Sequence, residues 1–356
     1  MAISAEVIVF LLLVFITTRR YKGNVYFRYL PYIVILIFMA IRYDYGDGRV
    51  YRVVFNHIHS VGTMKGVEPL YVWINKLLPN YDMVIAITSL FFVLAIYYVL
   101  SRTLTLRQRG FALLVMVVHP YILMVDMSAI RQSIAIALIL LGVYVANEHR
   151  NVFFIPFCLI AALFHKSAII MLPLVFLFDK KHFTTIMKWA ILAVTIFFLI
   201  VPNRLFQLLE MALAATGLNT ANYLAYLYNG NENSGLAVIL SFIIMIFLML
   251  CGNSVEDNNA IYVKLSILAM VFEALQGRVQ QFGRIDMYFL PFLMLSLPMI
   301  LKQEPQTLEV LVPNGAIVFN KYGCWLVEVC LIAVFIWKLI GFMTPQFAYQ
   351  SIFTIL

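Results

Sequence analysis

Long apolar runs alternate with polar segments along the whole of this chain. Many runs approach the roughly 20 apolar residues that a helix needs to cross a bilayer, and several are shorter. The runs cover residues 2–18, 30–41, 81–100, 111–125, 129–146, 152–164, 168–178, 189–201, 236–251, 260–276, 285–301 and 323–343. This pattern predicts an all-α fold, a polytopic transmembrane helical bundle with about 12 spans.

Three polar segments are long enough to form loops with structure of their own. Residues 42–80 contain LYVWINKLLP, which predicts an amphipathic interfacial helix. Residues 202–235 are expected to form a second outer loop with two short helices. In residues 302–322, apolar and polar positions alternate around Pro313-Asn314-Gly315, which predicts a small cytoplasmic β-hairpin. No linker divides the chain, so residues 1–356 are expected to form a single integral-membrane domain.

The distribution of Lys and Arg predicts the orientation in the membrane. Short cytoplasmic loops are enriched in these residues. If residues 19–29 are cytoplasmic, the alternation of spans makes further short loops cytoplasmic as well. These loops contain Arg102, Arg107, Arg109, Arg150, Lys180, Lys181 and Lys188. The first apolar run has its basic residues after it, which is typical of a retained helix with an outer N-terminus and not of a cleaved signal peptide. Residues 42–80 and 202–235 are then periplasmic loops.

The apolar stretch 152–178 allows two interpretations. A single tilted helix would place the basic segments on either side of it, 147–151 and 179–188, on opposite faces of the membrane. Two short helices with His165-Lys166-Ser167 at the tip keep both segments inside. The hairpin is therefore preferred, because it satisfies the charge rule on both sides.

Composition agrees with a membrane protein: 63% of the residues are hydrophobic and 12% are charged, against about 25% charged in soluble domains. The net charge of +8 is consistent with topology and with anionic lipid or phosphate. It does not indicate nucleic acid, because no stripe of basic and aromatic residues accompanies it.

The four cysteines lie in or beside apolar runs and are expected to be small buried residues, not disulfides. No metal or cofactor motif is present, and His57 and His59 lack companion ligands.

Several predicted spans are too short to cross the membrane, and charged residues follow them. The second span has about 12 residues, which reach about 18 Å in a helix against a core of roughly 30 Å. Arg42, Asp126, Arg131 and His165 would therefore lie below the outer surface. Charges at such depth line wet cavities and pair with one another. The sequence predicts an outward-facing polar crevice that opens sideways to lipid.

The densest polar cluster is RYDYGDGRVY, residues 42–51. Its candidate residues are Arg42, Asp44, Tyr45, Asp47, Arg49 and Tyr51, with Arg52 nearby. In the functional interpretation, Arg42 binds phosphate, Asp44 or Asp47 orients a phosphate or a sugar hydroxyl, and the tyrosines form a sugar-stacking surface. In the structural interpretation, the charges pair with one another at a solvated helix end.

Three further segments carry candidate chemistry. Glu68 before Pro69 is either a general base or sugar contact, or an exposed acid at a turn. Arg131-Gln132 opens the fifth span, where a helix N-terminus favours a diphosphate, and the alternatives are a snorkelling Arg or a pair with Asp126. His165, in FHKSA, is the best candidate for acid–base work, against a polar cap at the hairpin tip.

A last pair of arginines, Arg278 and Arg284, lies between the tenth and eleventh spans, on the outer side by parity. Diphosphate binding competes here with an interfacial salt bridge to Asp286.

Taken in order, these motifs resemble the EpsG-type, Wzy-like bacterial polysaccharide (O-antigen, capsule or exopolysaccharide) polymerases. The sequence has Arg-Tyr-Asp-Tyr-Gly-Asp entering a long loop, then Glu-Pro, Arg-Gln opening a helix, His-Lys-Ser-Ala, and Arg before Met-Tyr-Phe. The resemblance covers most of the chain, and no motif is recognised after about residue 302. Arg42, Arg131 and Arg284 match polar positions of the family, and His165 matches its His-x-Ser-Ala position. Asp44 and Asp47 stand where the family has acids.

The resemblance implies a multi-pass enzyme of the bacterial inner membrane, with an active site that faces the periplasm. Its substrate would be an undecaprenyl diphosphate-linked oligosaccharide of a Wzx/Wzy-type pathway. The growing chain would move from one lipid carrier to the non-reducing end of a new repeat. Membrane lipid is a further partner, a chain-length regulator is a partner that such a pathway allows, and neither nucleic acid nor a cofactor is expected.

Two other functions compete with a polymerase. A flippase or transporter of lipid-linked sugars needs polar access from both faces, whereas the intramembrane charges cluster on the outer side. A membrane O-acyltransferase with His165 as its base needs a cytoplasmic acyl donor that reaches this residue. The polymerase hypothesis requires only that arginines stabilise a diphosphate leaving group and that a histidine or carboxylate deprotonates a sugar hydroxyl.

Overall fold

A computed structural model shows a chain built almost entirely of helices. The described residues are 5–19, 28–201, 204, 207–208, 211, 235–277, 279, 281–301, 308–312, 315–319, 321–343 and 349–351. They form two compact units. The first unit comprises Met1–Asp179, Leu297–Thr307 and Phe319–Leu356, and the second comprises Lys180–Ser296 and Leu308–Val318.

The first half of the chain contributes nine α-helices to the first unit. They are α1 (Ala5–Arg19), α2 (Leu30–Ala40), α3 (Gly48–Val61), α4 (Pro69–Leu77), α5 (Tyr81–Thr103), α6 (Leu106–Val118), α7 (Met124–Ser128), α8 (Ile130–Glu148) and α9 (Phe154–Phe164). Short 3₁₀ segments at Asn151–Phe153 and Lys166–Leu177 flank α9.

The remaining helices follow after residue 180. They are α10 (Thr185–Ile200), α11 (Gly235–Cys251), α12 (Ala260–Leu275), α13 (Gln281–Phe289), α14 (Leu293–Leu301) and α15 (Lys321–Phe342). The 3₁₀ segments here are Gly252–Ser254, Asp257–Asn259 and Leu290–Phe292. Two strands, β1 (Leu308–Val312) and β2 (Gly315–Phe319), form a two-stranded sheet, and its cytoplasmic location stays a prediction. Most of the predicted loop 202–235 lies outside the described residues.

Six helical stretches in the described part of the chain are long and apolar enough to cross a membrane: Tyr81–Thr103, Ile130–Glu148, Gly235–Ser254, Asp257–Leu275, Phe282–Leu301 and Tyr322–Phe342. Five further apolar helices are shorter: Ala5–Thr18, Leu30–Ala40, Asn151–Phe164, Lys166–Leu177 and Thr185–Ile200. The helical, multi-pass character predicted from the sequence is therefore confirmed. A span count of about 12 stays a prediction.

The fourth predicted span, 111–125, does not continue as one helix. α6 ends at Val118, and His119 has an extended backbone with φ −82° and ψ 112°. Pro120 follows, and a proline disfavours helical backbone at the residue before it. Because of this break, the apolar run 111–125 is divided between two helices. The short helix α7 begins after the break and carries Asp126.

Helix α3 is an element that the sequence analysis did not predict within residues 42–80. Tyr51, Val54, Phe55 and Ile58 lie on one face with the i, i+3, i+4, i+7 spacing of an amphipathic helix. They form a buried cluster with Tyr71 of α4 and neighbouring residues of α5 and α8. The predicted interfacial helix is present as α4. Residues 42–80 thus form a packed helical layer on the first unit.

The stretch 152–178 folds back on itself, which confirms the hairpin. The Asn151 side chain donates to the carbonyl of Val175 at 3.3 Å, so the two ends of the stretch lie together. The Cys158 thiol donates to the carbonyl of Ala168 at 3.3 Å nearer the tip. His165, at the tip, has an extended backbone that ends α9. The returning arm is 3₁₀ and contains Pro173, which has no backbone N–H to donate.

Close packing of α8 on α9 holds this hairpin in place. A Cβ added to Gly142 would lie 2.6 Å from the Cβ of Phe157, which is closer than real side-chain contacts allow. We expect Gly142→Ala to lower the free energy of unfolding by about 1–3 kcal/mol through overpacking. Gly341→Ala is the matched control, because nothing lies within 4 Å of its added Cβ. Thermal unfolding of the purified variants in detergent measures the difference, and equal midpoints would contradict this packing.

Candidate active site

Glu68 lies at the centre of a closely connected polar cluster in the first unit. It immediately precedes α4, and its extended backbone (φ −69°, ψ 145°) is the conformation that a following proline favours. The side chain is buried, with 4% exposure. A buried carboxylate must be paired or hydrogen-bonded, and Glu68 has partners from two other elements.

The first partner is Arg131, the second residue of α8. Its Nη1 lies 2.6 Å from Oε2 of Glu68, a short charge-assisted hydrogen bond. Its side chain is 24% exposed, so the guanidinium is only partly withdrawn from the surface. Nε of Arg131 is buried and has no hydrogen-bond partner within the described residues. The alternative prediction that Arg131 pairs with Asp126 is therefore wrong, because its ion-pair partner is Glu68.

The second partner is the hairpin tip. Nδ1 of His165 lies 3.7 Å from Oε1 of Glu68, within ion-pair distance and beyond that of a hydrogen bond. The backbone N–H of Lys166 donates to the same oxygen at 3.3 Å. One carboxylate thereby joins α4, α8 and the tip of the hairpin. The long imidazole distance leaves room for the contact to shorten when a substrate is bound.

Two tyrosines enclose the arginine. The Arg131 guanidinium lies 5.6 Å from the ring centroid of Tyr51 and 6.0 Å from that of Tyr71. The two rings meet edge to face at 5.9 Å. Burial raises the pKa of both hydroxyls, against the opposing charge of Arg131. Both tyrosines are therefore neutral near pH 7 and are poor candidates for a general base.

Asp44 lies in a second polar cluster, built around Arg52 of α3. Its Oδ1 accepts from Nε of Arg52 at 3.0 Å. Nη2 of Arg52 lies 3.5 Å from Asp82 at the start of α5. The rings of Tyr43 and Tyr81 lie 4.9 Å and 4.8 Å from the Arg52 guanidinium. Asp44, a site residue predicted from the sequence, therefore pairs with Arg52 and not with Arg131.

Arg42 is held inside the protein. It is 4% exposed, and its Nη1 donates to the hydroxyl of Ser89 at 2.9 Å and to the carbonyl of Met39. Its backbone forms an antiparallel bridge with Ser351. Because Arg42 is buried by these contacts, the structure does not support its predicted position on the wall of an open crevice.

The predicted sugar-stacking surface of tyrosines is also corrected. Tyr45 and Tyr51 are 2% and 7% exposed. Tyr45 packs near Tyr349, with ring centroids 6.2 Å apart, and Tyr51 faces Tyr71 and Arg131. These rings pack inward because α3 forms directly after Asp47 and turns its apolar face toward the first unit. Neither ring face is open to a sugar.

The other predicted residues are dispersed. Asp47 and Arg49 are exposed at the start of α3, and the N–H of Asp47 donates to the hydroxyl of Ser128 at 3.1 Å. Gln132 is buried on α8. Arg284 is exposed on α13 in the second unit. Arg278 lies outside the described residues.

The part of the chain that the structure describes contains no candidate metal site. No group of three or more His, Cys, Asp or Glu side chains there is arranged to hold a metal ion. Cys158, Cys251, Cys324 and Cys330 are free thiols. Three of them are buried, as expected for small apolar residues, and Cys330 is exposed.

One contributor to the site, Tyr71, was missed from the sequence. It lies three residues after Glu68. Arg52 was noted beside the cluster of residues 42–51, but its place on a helix was not predicted. The i, i+3, i+4, i+7 apolar spacing of residues 51–58 was a usable signal for α3. It would have indicated that Tyr51 faces inward and Arg52 lies at the edge of that face.

Comparison with known proteins identifies one family. The sequence profile of the EpsG family matches residues 25–351, nearly the whole chain. Searches of curated proteins and of solved structures found no match. The profile match includes Glu68, Arg131 and His165.

A double-mutant cycle tests the Glu68–Arg131 pair. Glu68→Ala or Arg131→Ala alone leaves the remaining charge largely buried without its counterion. Each single variant is therefore expected to be less stable than the double variant, which lacks both charges. We expect a coupling free energy of about 1–3 kcal/mol from denaturant unfolding in detergent. Glu68→Ala combined with Arg102→Ala, at the far end of α5, is expected to be additive. A coupling near zero in the first cycle would contradict the pairing.

Proposed function

The chain belongs to the EpsG family, and on that premise we propose that it is a membrane glycosyltransferase that polymerises undecaprenyl diphosphate-linked oligosaccharide repeats on the periplasmic side. The family match and the apolar helices indicate a multi-pass membrane protein of polysaccharide biosynthesis. The lipid carrier, the Wzx/Wzy-type pathway and the roles of individual residues are our proposal. The observation that carries it is the contact of one buried carboxylate, Glu68, with both Arg131 and His165.

We infer a single membrane domain of about 12 spans, with periplasmic loops at 42–80 and 202–235 and a cytoplasmic loop at 302–322. The basic residues of the short loops support this orientation. The packing of α3 and α4 as a layer supports a folded outer loop that carries part of the site. A chain-length regulator would then meet the protein from the periplasmic side.

Arg131 is proposed to hold the diphosphate of the donor. A guanidinium has five N–H donors, and Glu68 accepts from Nη1. The Arg131 side chain is 24% exposed, so the part of the guanidinium that reaches the surface would donate to a phosphate oxygen. The position of Arg131 at the beginning of α8 adds the partial positive charge of a helix N-terminus. Together they stabilise the negative charge of the leaving group without a metal ion.

His165 is proposed as the general base. Its Nδ1 faces Glu68, and we therefore assign the proton transfer from an acceptor hydroxyl to the other ring nitrogen, Nε2. A carboxylate on one imidazole nitrogen orients the ring and stabilises the cation that forms. In the transfer, the bond between the sugar C1 and the diphosphate oxygen breaks, and the oxygen keeps the electron pair. The acceptor oxygen bonds to C1, and its proton moves to Nε2.

Purified protein and a lipid-linked repeat test this mechanism directly. Wild type is expected to produce a ladder of chain lengths on a gel. Arg131→Ala is expected to lower the rate by about 10²–10³-fold through loss of leaving-group stabilisation. His165→Ala is expected to lower it by about 10²–10⁴-fold through loss of the base.

Arg150→Ala is the control, because Arg150 is an exposed arginine of a predicted cytoplasmic loop. This variant should produce the same ladder of chain lengths as wild type. A wild type that forms no ladder would reject the polymerase. Normal ladders from both site variants would reject the assignment of these residues. A null strain that accumulates repeats in the cytoplasmic leaflet would favour a flippase instead.

Arg284 is retained as a second diphosphate ligand on the family resemblance. Arg284→Ala is expected to abolish long-chain polysaccharide in cells while the protein remains in the membrane fraction. A gel of extracted polysaccharide and an immunoblot of membranes measure the two quantities. Wild-type chain lengths in this variant would remove Arg284 from the site.

A further inference from the structure

The cluster around Arg52 is built more elaborately than a surface ion pair. Its guanidinium lies between the rings of Tyr43 and Tyr81, with both centroids under 5 Å away. Two carboxylates contact it, Asp44 at 3.0 Å and Asp82 at 3.5 Å. Such contacts from two separate segments, the turn at residues 43–44 and the start of α5, hold a long side chain in one orientation. The binding groups of this cluster are therefore preorganised.

The same cluster is open to solvent. The side chains of Arg52 and Asp82 are 30% and 63% exposed. Exposed ion pairs contribute little to stability, typically about 0–1 kcal/mol. A gain of that size is a weak reason for so specific an arrangement. Accessibility and fixed orientation together are what a ligand site requires.

Asp44 is held in an uncommon backbone conformation. Its φ is +41°, in the left-handed region that aspartate tolerates better than most residues. Gly46 also has a positive φ, of 56°, so the chain turns sharply here before α3 begins. Strained residues of this kind persist where the surrounding contacts fix them, and they concentrate at functional sites. The hydrogen bond from Arg52 is the contact that fixes the Asp44 carboxylate.

An unsatisfied hydroxyl lies against the same carboxylate. Tyr81 is 3% exposed, and its hydroxyl has no hydrogen-bond partner among the described residues. A Cβ placed on Gly48 would lie 3.9 Å from this hydroxyl and 3.8 Å from Oδ1 of Asp44, so both groups lie beside the same glycine. Buried hydroxyls are normally hydrogen-bonded. Tyr81 therefore contributes an unsatisfied donor close to the acceptor oxygen of Asp44.

The charge of the cluster selects the class of ligand. Two carboxylates, Asp44 and Asp82, surround one guanidinium. An anion such as diphosphate would meet net repulsion here, in contrast to the site at Arg131. A neutral polyol fits, since carboxylates accept from sugar hydroxyls and the guanidinium donates to them.

The cluster shares its scaffold with the candidate active site. Arg52 follows Tyr51, whose ring faces Arg131. The turn before α3 is joined to α7 by the Asp47–Ser128 hydrogen bond, three residues before Arg131. A saccharide bound at Arg52 would therefore be held by the same elements that position the reacting groups.

We propose that Asp44, Arg52, Tyr81 and Asp82 form a saccharide subsite that binds a sugar of the acceptor repeat. Its assignment to the acceptor rests on the proposed polymerase function, whereas saccharide binding itself does not. The subsite holds the acceptor chain by its hydroxyls, while Arg131 holds the donor by its diphosphate. The two substrates are thus distinguished by charge.

Two measurements test the subsite. The first is direct binding to the purified protein of the oligosaccharide released by mild acid from the lipid-linked repeats of the expressing cells. Saturation-transfer NMR should detect it with wild type. Arg52→Ala and Asp82→Asn are expected to weaken this binding at least about tenfold, which corresponds to about 1.4 kcal/mol. Arg102→Ala, at the other end of α5, should bind as wild type does.

The second measurement is the rate of chain elongation as a function of acceptor concentration. Arg52→Ala is expected to raise KM for the acceptor and to leave KM for the donor unchanged, and Arg52→Lys should restore part of the loss. The control is Arg102→Ala, because Arg102 also lies over a tyrosine ring, that of Tyr98 at 5.7 Å, at the other end of α5.

The outcomes separate the two proposals. Oligosaccharide binding that Arg52→Ala leaves unchanged, or that Arg102→Ala weakens equally, overturns the subsite even if the protein polymerises. No detectable binding to wild type also overturns it. Binding that depends on Arg52 in a protein that forms no ladder supports the subsite and rejects the polymerase. A melting temperature of Arg52→Ala equal to that of wild type shows that the lost binding is not lost folding.

Discussion

The carboxylate of Glu68 is the contact on which the arrangement of the first unit depends. It is buried, and it bonds to Arg131 on one oxygen while the other oxygen faces His165 and accepts the N–H of Lys166. Each of these groups comes from a different part of the chain. A buried carboxylate without partners is unfavourable by several kcal/mol, so α4, α8 and the hairpin tip must meet where they do. The same requirement that stabilises the fold thereby brings an arginine and a histidine together.

Helix α3 links this centre to the second polar cluster. Its buried face places Tyr51 against Arg131, and the next residue, Arg52, lies between Tyr43 and Tyr81. The centre has one partly exposed guanidinium, that of Arg131, and the second cluster has an excess of carboxylates. In the polymerase that we propose, one copy of the substrate loses its diphosphate and the other presents a hydroxyl. Under that proposal, the difference in charge between the two clusters is the physical basis for distinguishing the two copies.

Burial explains why the sequence suggested a larger site than the fold assembles. Tyrosines and arginines near residues 42–51 have the composition of a sugar and phosphate site, and composition alone does not tell which side chains face inward. Packing of α3 turns Tyr51 inward, Tyr45 packs near Tyr349, and Arg42 is buried beside its bridge to Ser351. Glu68, which the sequence allowed to be an exposed acid at a turn, is instead buried between Arg131 and His165.

Local and compositional features could be predicted from the sequence alone. The apolar runs, the hairpin of residues 152–178 and the family resemblance depend on neighbouring residues or on motif order, which a linear pattern contains. The partners of the polar groups are set only by the tertiary structure. Glu68 and Arg131 are 63 positions apart, and the backbones of Arg42 and Ser351 are joined across nearly the whole chain. Such contacts arise because buried polar and charged groups must find partners wherever the packed helices place them, and no local pattern encodes that choice.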